Sequence, residues 1–142
     1  MKIETPYDEL TYEIIGAAMA VHNELGPGLP EEIYKNAISF LLAEKQIAFE
    51  RELPVPVVFR GRPVGTFKLD FVVAHKVIVE FKAVGTLAAI HEQQTLTYLA
   101  SSGLEIGLLI NFGSAKLEYK RIFPSKAVQN SEAYKSRQPN SK

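Results

Sequence analysis

Asp70, Glu80 and Lys82 fall within thirteen positions of a stretch, TFKLDFVVAHKVIVEFKAV (residues 66–84), that is otherwise rich in hydrophobic residues. A charge buried without a partner is costly, and two carboxylates buried side by side are worse. Such a set can be a structural ion cluster, neutralised by Lys68 and Lys82. It can also do chemistry: two carboxylates suit a hard divalent cation such as Mg²⁺ or Mn²⁺, with a main-chain carbonyl and water completing its shell. An ammonium two residues from one acid could then hold an attacking water or steady a developing negative charge.

Strand register tests whether the two acids meet. Leu69, Phe71 and Val73 alternate with Asp70 and Val72, while Val77, Val79 and Phe81 alternate with Ile78, Glu80 and Lys82. Matching the apolar faces pairs Val73 with Val77, Phe71 with Val79 and Leu69 with Phe81. That register needs a three-residue loop, Ala74-His75-Lys76, with a solvated His75 at its tip. It sets Asp70 opposite Glu80, with Cβ atoms about 5 Å apart, and Lys82 opposite Lys68.

The elements that would carry these residues follow from periodicity. Leu10, Ile14, Ala17, Ala18 and Val21 recur at helical spacing, which predicts a helix from Asp8 to Leu25, stopped by Gly26-Pro27-Gly28. A second helix is expected from Pro30 to Lys45. On it Glu31 lies in line with Tyr34 and Ile38, the apolar stripe, and is expected to point inward, whereas Glu32 and Lys35 share the polar face. Pro54 and Pro56 mark an edge or bulged strand, followed by a turn at GRPVG. A third helix, Leu87 to Ser102, places His91, Gln94 and Tyr98 along one side. Two further strands, EIGLLINF and KLEYKRIF, close an α/β domain with a sheet flanked by helices. The domain is expected over residues 1–124, with 125–142 a polar flexible tail.

The 142 residues suit one domain, with 46% hydrophobic and 23% charged residues. There is no cysteine, which excludes disulfides and thiolate zinc sites. No apolar run approaches the roughly 18 residues of a membrane span, so a soluble cytoplasmic chain is expected. Net charge is zero, but the last eighteen residues hold four basic residues against one acid, and the rest carries a net charge of −3. Contact with nucleic acid would therefore be local and salt-sensitive.

The pattern G-x-x-E-x-x-Y at Gly28, Glu31 and Tyr34 joins LGPGLPEEIY, KLDFVV, VIVEFKAV, HEQQTLTYL and GLLINFG, in that order. Over residues 8 to 123 the chain closely resembles the small bacterial GxxExxY proteins of the PD-(D/E)xK nuclease-like superfamily. The resemblance implies a restriction-endonuclease-like αβββαβ core with an extra N-terminal helix. It implies that Asp70, Glu80 and Glu31, with the carbonyl of Phe81, hold Mg²⁺ or Mn²⁺. Lys82 would be the motif lysine, and Gln94 and Tyr98 would support the active site, as in the Q-x-x-x-Y element of RecB-type nucleases. The residue before Asp70 is Leu69 where the superfamily often has proline. His22, His91 and Tyr34 are expected to line or support the pocket, by hydrogen bonding rather than metal ligation. A metal-dependent nuclease acting on DNA, ahead of RNA, is the leading expectation. A non-catalytic nucleic-acid-binding or regulatory domain with the same fold is the alternative. A homodimer is favoured, because so small a domain offers little surface to clasp a duplex.

Overall fold

A computed structural model describes residues 7–138. The outer parts of the expected domain and tail, 1–6 and 139–142, lie outside the described residues. Helix α1 (Asp8–Leu25) and helix α2 (Glu31–Glu44) precede strands β1 (Phe49–Phe59), β2 (Arg62–Val73) and β3 (Val77–Lys82). Helix α3 (Ala89–Ser102) crosses over to β4 (Ile106–Asn111), and β5 (Glu118–Ile122) follows. The five strands lie in sequence order, antiparallel except for the parallel pair β3–β4 that the α3 crossover joins. This is the expected α/β architecture, a five-stranded mixed sheet flanked by helices.

Each face of the sheet is covered. Ile14, Ala18, Val21, Tyr34, Ile38 and Leu42 from α1 and α2 pack on Phe71, Val73, Val77, Val79 and Phe81. On the opposite face Leu99 of α3 meets Leu69, Val72, Ile78, Leu109 and Ile122. Both sides of β3 and β4 are thus buried, which explains their near-continuous aliphatic sequences. β1 takes the sheet edge, where its prolines need no ladder partner on the outer side, and it carries a bulge between Val57 and Val58. The β1–β2 turn is the two-residue loop Arg60-Gly61, both at positive φ (51° and 77°), a hairpin geometry that matches strand twist.

The segment after Pro124, expected to be a flexible tail, instead forms α4 (Lys126–Gln129) and α5 (Glu132–Arg137). Tyr134 is buried and donates a hydrogen bond to the Leu104 carbonyl, and Arg137 reaches the Ala100 carbonyl. Gly103 ends α3 at φ 79°, and a Cβ there would stand 2.4 Å from the Arg137 backbone, so α5 seats directly on the glycine. A single buried aromatic anchors a stretch too short and too polar to show periodicity. Among the described residues no helix is long and apolar enough to cross a membrane.

Candidate functional site

The β2–β3 ladder contains Val73–Val77, Val72–Ile78 and Phe71–Val79, the register that the apolar faces demand. At Asp70 it stops. The Asp70 amide donates to Glu80 Oε2 and the Phe81 amide donates to Asp70 Oδ2, each at 2.9 Å. Side-chain carboxylates thus take up main-chain amides where the ladder ends, and the strands part and form a fork. Leu69 and Phe81 do not pair as expected, nor do Lys68 and Lys82. β2 changes faces here: Phe71 and Val73 join the α1/α2 layer, whereas Leu69 joins the α3 layer.

The other side of β2 is interrupted at the same level. Arg51 pairs with Phe71 and Leu53 with Leu69, but Glu52 between them sits at φ 53° and makes no ladder pair. A left-handed conformation in a residue with a Cβ costs on the order of 1 kcal/mol and concentrates at functional sites. It swings the Glu52 carboxylate to 3.9 Å from the Lys35 ammonium.

Lys35 is the residue that the helical pattern misplaced. Assigned to the polar face of α2, it is 6% exposed, and its Nζ donates to Asp70 Oδ1 at 3.0 Å and stands 3.3 Å from Glu31 Oε1. Burial would lower the ammonium's pKa, but the hydrogen bond and charge of Asp70, helped by Glu31, outweigh it and hold the group above the usual lysine range. Glu31, expected to point inward, is only half-buried, at 39% side-chain exposure, and spans to Lys35 one turn along. Its i,i+4 spacing to Lys35 was the available signal. Glu52 left no comparable trace, because nothing in its neighbours announces a left-handed residue.

Glu80 is 4% exposed. Burial, and then the charge of Asp70, push its pKa up to about 8, so it holds its proton at neutral pH in this arrangement. Lys82 does not touch the acids; its Nζ donates to Gln94 Oε1 at 3.1 Å, tying the end of β3 to α3. Tyr98 stacks on Phe67 with centroids 4.5 Å apart. Burial, and then the charges of Glu80 and Asp70, raise its pKa, so its phenol shares their field.

Three expected residues lie outside this group of contacts. His91 Nδ1 accepts the Ala88 amide and caps α3. His22 is buried, with Nε2 at 2.9 Å from the Ser114 carbonyl. Tyr34 is wholly buried and stacked on Phe112 at 4.5 Å, and its hydroxyl accepts the Leu29 amide and donates to the Gly26 carbonyl. This closes the Gly26–Leu29 loop, with Gly28 at φ 105°, and fixes the first turn of α2 that presents Glu31.

The structure brings together Asp70, Glu80 and Phe81 at the fork, Lys82 with Gln94 beside it, and Glu31, Lys35 and Glu52 around Asp70. No curated protein matches the chain. A crystal structure of SSO0001 shares its fold, with TM-score 0.51 and 16% identity, over 92% of this chain and 66% of that one, so this chain spans just under two thirds of that structure's length. The profile of the PD-(D/E)XK nuclease superfamily matches residues 8–122, most of the chain, and carries Asp70, Glu80 and Lys82 within it. The chain belongs to the PD-(D/E)XK nuclease superfamily.

Proposed function

We propose that the chain is a divalent-metal-dependent nuclease of the GxxExxY type, hydrolysing phosphodiester bonds of nucleic acid, DNA ahead of RNA. The observation that carries this reading is the convergence of Asp70 and Glu80 across a parted ladder, with Lys82 next along the same strand. The role of Tyr34 supports the subgroup: it explains why a glycine and a tyrosine six residues apart would bracket Glu31.

The donor chemistry fits Mg²⁺ or Mn²⁺: hard carboxylate oxygens of Asp70 and Glu80, the Phe81 carbonyl, and Glu31 within reach of the same ammonium. In the present arrangement Asp70 Oδ1 is held by Lys35, and among the described residues no three acids or histidines stand close enough to close a shell. Binding therefore requires the Lys35 ammonium to withdraw and Glu80 to release its proton. When bound, the metal would supply charge stabilisation at the scissile phosphate and a more acidic water. The chain's own residues supply the rest. Gln94 holds the Lys82 ammonium in one orientation beside the fork, where it can hold a water. Tyr98 and Phe67 wall the α3 side with an aromatic stack.

Asp70→Asn and Lys82→Ala are expected to lower Mn²⁺-dependent cleavage by on the order of 10²–10³-fold with circular dichroism unchanged. Undiminished cleavage by both variants would sink the assignment. The Lys35–Asp70 pair and the protonated Glu80 favour a second reading, a non-catalytic domain whose acids are already neutralised. Calorimetry separates the two: no heat of Mg²⁺ or Mn²⁺ binding at millimolar concentration, with no cleavage, selects the second.

A further inference from the structure

The hairpin β1–β2 continues well past the body of the sheet. Its root is anchored by Leu53, Val55 and Phe67, which pack against the α3-side core, Phe67 on Tyr98. From Pro56 to Thr66 every residue is exposed. The tip nevertheless carries large apolar side chains, with Val58 and Phe59 each 60% exposed and Val64 61%. Large exposed hydrophobics crowded on both faces of the tip of a slender arm mark a surface awaiting a partner.

Charge identifies the partner. Residues 53–69 contain Arg60, Arg62 and Lys68 and not one acid, in a body that is otherwise net acidic. The Arg60 guanidinium lies 5.2 Å over the Phe59 ring, which keeps cation and apolar group together at the turn. The arm also points the right way. It is the direct extension of the strand that bears Asp70, and it leaves the sheet on the side where β2 and β3 part. At about 3.3 Å per residue the turn lies about 30 Å from Asp70, comparable to one turn of duplex, about 34 Å.

We propose that this hairpin is a duplex-gripping arm: its apolar tip enters a groove of double-stranded nucleic acid, while Arg60, Arg62 and Lys68 neutralise phosphates. The arm holds the duplex so that a phosphodiester about one turn away meets the fork. Apolar wedges flanked by cations are what groove insertion requires, and phosphate contacts fix register along the duplex. The proposal rests on the nuclease reading of the fork and adds the substrate class, a duplex rather than a single strand.

The test uses the full chain in EDTA, where cleavage cannot intervene, and a fluorescein-labelled duplex of about two turns titrated at several salt concentrations. Arg60→Ser combined with Arg62→Ser is expected to reduce the magnitude of the slope of log K against log salt by about 2 and to weaken binding at least about tenfold at low salt. Phe59→Ser is expected to weaken binding with the slope unchanged. Both sets of side chains are solvent-exposed, so folding is expected to persist and is checked by circular dichroism. Mn²⁺-dependent hydrolysis of bis(p-nitrophenyl) phosphate, too small to reach the arm, is expected to be the same in these variants and the wild type. Duplex binding that is absent in the wild type, or unaltered in the variants, overturns the arm. If the small diester is still hydrolysed, the fork assignment survives that failure. Sedimentation supplies the remaining outcome: a dimer dissociated by Phe59→Ser, with no change in duplex affinity, shows that the tip joins two copies and overturns the proposal.

Discussion

Two polar clusters stand side by side at the ends of the paired strands β3 and β4, and they solve the problem of buried polarity in opposite ways. At the end of β4, Asn111 is fully buried and its amide is used up. Oδ1 accepts from the amides of Val84 and Gly113, and Nδ2 donates to the Val84 carbonyl and to Glu118 Oε1. Glu118 is held below the usual carboxylate range by Asn111, then by the Leu87 amide, and so ties the 83–88 loop to the sheet. The buried part there is a neutral amide closed on main-chain dipoles, and the Glu118 carboxylate that it binds lies half-buried at the rim, so no charge is forced out of water. At the end of β3 the same depth of burial is met with ionisable groups. Glu80 keeps a proton, Lys35 gives up most of its exposure to reach Asp70, and Glu52 adopts a left-handed backbone. The first cluster holds the fold; the second is held by it, in a condition that a bound cation would change.

The largest expected effect tests the first cluster. Asn111→Ala leaves the Val84 and Gly113 amides without an acceptor in the interior, and should lower stability by about 3–5 kcal/mol in urea denaturation. A loss under about 1 kcal/mol would remove the contrast. The next concerns Glu80. Its folded pKa of about 8 lies above the ordinary 4.5. Between those values the native chain keeps a proton that the unfolded chain releases, so the stabilisation is complete below pH 4.5 and is lost as pH rises through 8. Glu80→Gln, neutral throughout, lacks this dependence. Relative to the variant, the wild type should lose on the order of 1 kcal/mol per pH unit between pH 5 and 8; parallel curves would show that the buried acid is not held protonated. The smallest effect sharpens the second cluster. Lys35→Met spares the cost of burying an ammonium but leaves the Asp70 carboxylate without its cation, held by the Phe81 amide, so it should destabilise by about 2 kcal/mol without metal. Mn²⁺ should then raise the melting temperature of the variant more than that of the wild type, because Asp70 Oδ1 is released. Equal shifts would show that the ammonium does not compete for the site.

The β2–β3 register was legible because strand side chains alternate with a period of two, and a one-residue slip would have put Phe71 and Val79 on the wrong layer. The same reasoning carried the ladder three pairs too far, through Asp70–Glu80, Leu69–Phe81 and Lys68–Lys82. Periodicity assumes a regular strand, and Asp70 sits where β2 stops being one. Lys35 was misread for a related reason. A helical wheel records where Cβ points, whereas the lysine stem is long enough to turn its ammonium back to Asp70, beyond the stripe on which the wheel placed it. α5 escaped notice because its docking depends on Tyr134 and on the bare surface of Gly103, far apart in sequence.

The opening stretch, TFKLDFVVAHKVIVEFKAV, determined by itself that two acids and a lysine would come to neighbouring strand ends, because alternation and loop length are local properties of the chain. Only the tertiary structure decided their condition: which acid meets a cation, which keeps its proton, and which lysine stands apart on Gln94. Those outcomes depend on burial and on the charges that other elements bring alongside, and a stretch of sequence contains neither.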